Sequence, residues 1–161
     1  MRPVYDFVQK LRSTMCLDAK QMLRKGSKYY LLGRHIKTLV TRDFFYAGTY
    51  LGKIKGETFF PSFALLAMMA KQRANKTTIN ARSEWLFICG RDIFKQGIVE
   101  VTGPRRKGTY TLILNERREC LGFGKILRDP KDERSRPQPV IRNITDVGDF
   151  LRRERKPPRH Q

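Results

Sequence analysis

The alternation of apolar and polar positions predicts three helices in the first half of the chain. Helical spacing over residues 3–15 gives one apolar face, made of Val4, Phe7, Val8, Leu11 and Met15. A second helix, further along, carries near its apolar face His35, Ile36, Leu39 and Val40. Ser62 is placed to cap a third helix over residues 63–74, whose nearly continuous apolar surface predicts burial.

Two strand pairs separate these helices. The predicted strands are residues 21–23, 28–32, 44–51 and 54–60. A turn at residues 24–27 joins the first two strands, and Gly52 and Gly56 mark bends in the second pair. The order α-β-β-α-β-β-α indicates a small α+β domain, sandwich-like and built on an antiparallel sheet.

The second half of the chain is rich in short predicted strands. Glycines punctuate it near turns, and the strands lie around residues 99–101, 110–114, 121–127 and 140–144. One short helix is predicted at residues 91–95. Because helical spacing gives way to strand-like residues at Thr77, a domain boundary is predicted between residues 76 and 77. Many short strands with one helix indicate a small, partly closed β-barrel.

The charge of the chain indicates a polyanionic partner. The 161 residues hold 34 Lys and Arg against 15 Asp and Glu, a net charge of +19. Residues 1–76 hold 15 basic and 4 acidic residues, and residues 77–161 hold 19 and 11, so both predicted domains are basic. Such an excess opposes compact folding unless an anion relieves the repulsion. Nucleic acid is the first partner expected, ahead of an anionic membrane surface.

The last residues place cations at helical intervals. Asp146 is predicted to cap a short helix, which is anchored to the barrel by Val147, Phe150 and Leu151. The cations of this segment are Arg152, Arg153, Arg155, Lys156 and Arg159. Arg152, Arg153 and Lys156 are predicted to share the face opposite that anchor, where arginine forks would hold phosphate oxygens. A solvated helix end explains the same charges, and the positions alone leave both interpretations open.

A second candidate site is the basic turn of Arg105, Arg106 and Lys107, which either contacts phosphates or serves solubility. Tyr110 follows this turn and is a candidate for base stacking. The aromatic stretches at residues 29–30, 44–46 and 59–60 are interpreted as strand residues of a core rather than as stacking platforms. A membrane-surface role is not expected, since the first helix carries too few cations.

Neither a metal nor a cofactor is expected. The three cysteines, Cys16, Cys89 and Cys120, are scattered, which argues against a disulfide framework and a zinc site. Cys89 is expected to be a small core residue. The two histidines, His35 and His160, lie far apart in the chain and neither neighbours a cysteine at ligand spacing.

Several short motifs together resemble a known family. Residues 87–98, FICGRDIFKQGI, resemble the opening of a PUA domain, in which a glycine starts a short helix and a Gly-Ile pair ends it. Residues 121–125, LGFGK, resemble its later glycine-containing strand. With LGKI at 51–54, FFPS at 59–62 and DVGDFLRR at 146–153, the chain resembles the nuclear import protein seven family of ribosome-biogenesis factors, and its basic tail is more similar to archaeal members.

The resemblance implies an α+β domain over residues 1–76, a PUA-type pseudo-β-barrel over 77–156 and a basic tail over 157–161. It implies RNA binding without catalysis in the maturation of large-subunit ribosomal RNA, with a preference for uridine-rich single strands. In that family, basic residues at the end of the PUA domain would hold the RNA. Their positions match Arg152, Arg153 and Lys156 and, less closely, Arg159. It also implies a monomer whose first domain contacts the exosome or other assembly proteins, in the cytoplasm, or in the nucleolus of a eukaryote.

Two other functions remain open at this point. An RNA-modifying enzyme, or an accessory subunit of one, would use the PUA domain for docking. The first half has only four acids and one histidine, and about 76 residues is short for such a catalytic domain, so no catalytic residue is expected. A protein scaffold with incidental RNA affinity would bind RNA weakly and without competition from protein assembly.

Overall fold

A computed structural model describes residues 1–33, 47–131 and 138–149 together with Arg152. The chain separates into two compact units, residues 1–73 and 74–161. The division falls three residues before the predicted boundary, because the strand that begins at Lys76 belongs to the second unit. None of the helices in the described ranges has the length and apolar content to span a lipid bilayer.

Two helices are described in the first unit, α1 (Arg2–Lys10) and α2 (Phe63–Ala70). α1 has a proline in its first turn and buries Val4, Phe7 and Val8. It ends before the predicted residue 15, because Arg12 adopts a left-handed conformation with φ of 48°. α2 begins where it was predicted, since the Ser62 hydroxyl accepts a hydrogen bond from the Leu65 amide.

The first unit also contains a four-stranded antiparallel sheet. Its strands, in spatial order, are β1 (Met22–Lys25), β2 (Lys28–Leu31), β3 (Thr49–Lys55) and β4 (Thr58–Pro61). Gly26 and Gly56, with φ of 58° and 59°, close the two tight hairpin turns. The predicted strand break between residues 51 and 54 is wrong: Gly52 lies inside β3, where its backbone forms part of a bulge opposite Tyr29.

Helix α1 packs on one face of this sheet. The ring of Phe7 in α1 lies 5.7 Å from that of Phe59, which in turn lies 6.0 Å from Tyr29. Tyr30 and Tyr50 lie on the other face, with ring centroids 5.6 Å apart. The predicted second helix, with His35, Ile36, Leu39 and Val40, and residues 44–46 of a predicted strand lie outside the described residues.

The second unit contains a six-stranded sheet and an α-helix, and Asp149 and Arg152, later in the chain, are also helical. The helix α3 spans Ala81–Ile88. The strands are β5 (Lys76–Ile79), β6 (Ile93–Phe94), β7 (Ile98–Thr102), β8 (Tyr110–Leu114), β9 (Cys120–Ile126) and β10 (Pro139–Asp146). Their spatial order is β6-β10-β9-β8-β5-β7, so in the described ranges the sheet is open, with β6 and β7 at its ends. Only the β5–β8 pair in this order is parallel.

Two local predictions for this unit are wrong. Residues 91–95 do not form a helix, because buried Ile93 pairs with Ile141 of β10. The helix lies earlier, so Gly90 follows a helix end instead of starting one. Cys89 is exposed, because Phe87 occupies the core position and Cys89, two residues later, is the residue that ends the helix. The α+β class with antiparallel strands is confirmed.

Candidate nucleic-acid interface

Two cations and an aromatic ring lie in register across three strands of the second unit. Lys125 of β9 is paired with Tyr110 of β8 on one side and with Arg142 of β10 on the other. Directly paired residues of an antiparallel sheet point to the same face, so the three side chains form one line. We call Tyr110, Lys125 and Arg142 the β8–β10 row.

The two cations of the β8–β10 row have no acidic partner among the described residues. Like charges directly opposite each other destabilise a sheet, yet no carboxylate in the described part of the chain forms an ion pair with Lys125 or Arg142. The Lys125 ammonium lies 5.5 Å from the centroid of the Tyr110 ring, and Arg142 is exposed. A row with this composition offers positive charge next to an aromatic face, which suits a phosphate backbone.

The basic turn predicted from sequence adjoins this row. It runs from Gly103 to Gly108, both of which have positive φ, at 100° and 90°. The Gly108 amide donates to the carbonyl of Ile126, and the Ile126 amide donates to that of Thr109, which holds the turn against the end of β9. Arg106 and Lys107 are exposed and Arg105 is half-buried. The turn cations therefore lie close in the fold to the strand ends that carry Tyr110 and Lys125.

The surroundings of Arg152 differ from those predicted. Its guanidinium donates to the Asp146 carboxylate at 2.6 Å and to the Ile88 carbonyl at the end of α3. Arg152 therefore makes contacts within its own unit, whereas the predicted anchor residues Phe150 and Leu151 lie outside the described residues. The hydrogen bond to Asp146 raises the pKa of Arg152 above its ordinary value. Its charge stabilises the fold, because it meets both a carboxylate and the negative end of a helix.

Asp146 belongs to the same junction and does not cap a helix as predicted. It is the last residue of β10, is 2% exposed, and accepts hydrogen bonds from the side chains of Arg152 and Asn143. The Asn143 amide also donates to the carbonyl of Phe87 at 2.9 Å. Side chains of Asn143 and Arg152 thus satisfy the last carbonyls of α3, which have no partner within the helix.

The remaining residues of the predicted C-terminal site lie outside the described part of the chain. These are Arg153, Arg155, Lys156 and Arg159. Of the predicted anchor residues, Val147 is exposed, so it does not pack into a core as predicted, and Phe150 and Leu151 are not described. The structure therefore brings together the basic turn and the β8–β10 row, and assigns Arg152 to a separate, internal contact.

The aromatic stretches divide between core and surface. Tyr29 and Tyr30 are buried, which agrees with their interpretation as core residues, whereas Phe60 is 37% exposed. In the described ranges no group of three His, Cys, Asp or Glu residues is arranged to hold a metal ion. Burial raises the pKa of the Cys120 thiol to about 11, so it stays protonated at neutral pH.

Lys125 and Arg142 were not among the residues predicted to bind RNA. Each is the single cation of its strand, and such a residue usually marks only the solvent face. Their importance comes from the pairing of β9 with β10, which the sequence pattern alone does not determine. One signal in the sequence could have identified them: each cation is adjacent in the chain to a core isoleucine, Lys125 to Ile126 and Arg142 to Ile141.

Comparison with known proteins assigns this surface to a recognised type of domain. Residues 75–155 match the UPF0113 PUA domain family. A UPF0113 protein from Archaeoglobus fulgidus is 28% identical over 112 residues, which cover 68% of this chain. The same alignment covers 63% of that relative's own length.

Solved structures show the same fold at low identity. A conserved PUA domain protein from Thermoplasma acidophilum gives a TM-score of 0.60 at 20% identity, covering 93% of this chain and 91% of the other. A hypothetical protein from Pyrococcus horikoshii OT3 gives 0.53 at 12% identity, covering 84% and 78%. A PUA domain from Aeropyrum pernix K1, solved as a tartrate complex, gives 0.50 at 19%, covering 59% and 55%. The predicted PUA-type fold of the second unit is confirmed.

Proposed function

Because the chain belongs to the UPF0113 family through its PUA domain, we propose that it is a non-catalytic RNA-binding protein that acts in large-subunit ribosomal RNA processing. PUA domains are known for binding RNA. The observation that carries the proposal is the β8–β10 row beside the basic turn, where Lys125 and Arg142 lie opposite each other and form no ion pair with a carboxylate of the described residues. The net charge of +19 supports it, because RNA relieves the self-repulsion.

The expected mode of binding is mainly electrostatic. Lys125, Arg142 and the turn residues contact phosphates, while Tyr110 offers a ring edge to a base of a single strand. Arg153, Arg155, Lys156 and Arg159 remain predicted RNA contacts, and uridine-rich RNA is the expected preferred form. With four to six phosphates neutralised, the logarithm of the affinity falls with the logarithm of salt concentration at a slope of roughly −3 to −4.

A pair of matched variants tests this mode. Lys125→Gln with Arg142→Gln removes two cations of the row, which flattens the salt slope by about 1.4 and lowers affinity for a uridine 20-mer about 20-fold at 0.1 M salt. The control is Arg117→Gln with Arg118→Gln, which removes the same charge from the turn at the other end of β8. The Arg117 side chain is 75% exposed in its ion pairs with Glu84 and Glu119, so their loss costs little stability.

The two double variants distinguish binding at a specific site from an effect of the total charge. Equal losses of affinity in the two double variants would show that total charge alone governs binding, and the assignment of the row would be wrong. No measurable affinity of the unaltered chain for RNA would overturn the proposed function as a whole.

The cellular role carries further expectations. We propose that the chain is related to the nuclear import protein seven family and acts as a cytoplasmic monomer whose first unit contacts the exosome or other ribosome-assembly proteins. Cross-linking the chain to RNA in cells, followed by sequencing of the adducts, is expected to yield mainly ribosomal RNA precursors. Adducts dominated by messenger or transfer RNA would contradict this role. Altered nucleosides after incubation with transcript RNA would contradict the absence of catalysis.

A further inference from the structure

The first unit carries its own row of opposed cations. Across its four strands, Lys25 is paired with Lys28, Lys28 with Lys53, and Lys53 with Phe60. All four side chains are exposed. Because neighbouring strands lie about 4.8 Å apart, the three lysines span roughly 10 Å of the sheet surface, with the phenylalanine next in line. We call Lys25, Lys28, Lys53 and Phe60 the β1–β4 row.

A bulge in β3 brings these residues to one face. Tyr30 is paired with Tyr50 and Lys28 with Lys53, so β3 uses one residue more than β2 over the same distance. Tyr50 and Lys53 therefore share a face although they are three residues apart. This is the face opposite to the one on which α1 packs through Phe7. Gly52 permits the bulge, because a side chain there would collide with the Phe60 carbonyl.

Three of the lysines on this face have no carboxylate partner among the described residues. In the described part of the chain, no carboxylate forms an ion pair with Lys28, Lys53 or Lys55, which follows Lys53 on the same face. The acid closest in sequence is Glu57, in the turn between β3 and β4. Like charges directly opposite each other cost stability. The arrangement therefore favours an anionic ligand that lies along the row.

We propose that the β1–β4 row is a second binding surface for single-stranded RNA, in which the lysines contact phosphates and Phe60 stacks on a base. The inference rests on the proposed RNA-binding function and extends it to the unit that was predicted to contact proteins. Phe60 is the one large apolar side chain recorded as exposed in the described part of this unit. A single aromatic ring beside cations is typical of single-strand binding, whereas a membrane surface calls for several bulky apolar side chains.

A triple variant with a matched control tests the surface. Lys28→Gln, Lys53→Gln and Lys55→Gln together lower the affinity of the full chain for a uridine 20-mer by roughly 30- to 100-fold at 0.1 M salt and flatten the salt slope by about 2. The control replaces three exposed lysines on other elements of the unit by glutamine: Lys10, Lys20 and Lys71. It removes the same charge, and we expect less than a threefold loss of affinity.

A second measurement tests the role of the ring. Ultraviolet cross-linking of the uridine 20-mer, followed by mass spectrometry, is expected to place an adduct on the peptide that contains Phe60. Phe60→Leu keeps an apolar side chain, and we expect it to abolish the adduct and to lower the affinity several-fold.

The outcomes separate this inference from the proposed function. Equal losses in the triple variant and its control, or adducts confined to the PUA domain, would overturn the second surface. In that case, loss of binding in the Lys125 and Arg142 double variant would leave the proposed function intact. A loss in the β1–β4 triple variant alone would overturn the assignment to the PUA domain and support the second surface.

Discussion

Arg142 and Arg152 belong to the same unit and have opposite surroundings. Arg142 lies exposed in β10 beside Lys125, and no carboxylate in the described ranges forms an ion pair with it. Arg152 donates to the buried carboxylate of Asp146 and to the Ile88 carbonyl at the end of α3. One cation is open to a ligand, whereas the other already has its counter-charge inside the protein.

This difference shows that the counter-charge of a cation says more about its availability to a ligand than its position along a helix does. Spacing marked Arg152 as part of a phosphate-binding face, but its acceptors make it a structural contact. The candidate RNA-binding surfaces are those where cations lie opposite each other on neighbouring strands, as Lys125 lies opposite Arg142. If this contrast is correct, substitutions in the two regions affect stability and RNA binding separately.

The largest effect on stability is expected from Arg152→Ala. The substitution leaves the Asp146 carboxylate, 2% exposed, without a cation, and we expect the free energy of unfolding to fall by about 2 kcal/mol. The value lies below that of a fully buried pair, because the Arg152 side chain is 38% exposed. Urea unfolding followed by circular dichroism measures the loss, and Trp85 fluorescence reports on α3. For the control Arg142→Ala we expect a loss of less than 0.5 kcal/mol. An equally small loss in Arg152→Ala would contradict the difference between the two arginines.

A smaller loss of stability is expected from Gly148→Ala, which changes no charge. A methyl group at residue 148 would collide with the Ile88 carbonyl, so the end of β10 must move away from α3. We expect a loss of about 1–2 kcal/mol. The salt slope of RNA binding, measured where the variant is folded, is expected to match that of the unaltered chain. A flattened slope would show that this junction takes part in phosphate contact.

Arg142→Glu has the smallest expected effect on stability, and the sign is opposite. Glutamate opposite Lys125 replaces a repulsive pair by an attractive one, so the free energy of unfolding is expected to rise by about 0.5 kcal/mol. RNA affinity is expected to fall further than in Arg142→Gln, because the new charge repels phosphate. Denaturation and RNA titration of the same preparations measure both quantities. Unchanged RNA affinity in a stabilised variant would show that the β8–β10 row does not contact RNA.

The sequence predicted those elements whose signals are local. Gly26 and Gly56 marked the hairpin turns, and Ser62 marked the start of α2. The bulge at Gly52 and the helix end at Arg12 were missed, because both depend on a backbone conformation that tertiary packing selects. Ile93 was assigned to a helix for a similar reason, since only its pairing with Ile141 makes it a strand residue.

The candidate sites were less accessible to prediction than the fold. The basic turn at Arg105, Arg106 and Lys107 was identified because its charges are adjacent in sequence. The rows around Lys125 and Lys53 combine residues of different strands, so they appear only when the register is known. The inward contact of Arg152 depends on the burial of Asp146, which no local pattern shows.

The most direct test of the account is the reactivity of individual lysines with and without RNA. Acetylation of the intact chain, quantified by mass spectrometry in the presence of a uridine 20-mer, is expected to decrease at Lys125 and at Lys107, and on the first unit at Lys28, Lys53 and Lys55. Reactivity is expected to stay unchanged at the exposed Lys71 and Lys131. Equal protection of all these lysines, or none at Lys125, would contradict the claim that opposed cations form the RNA-binding surface.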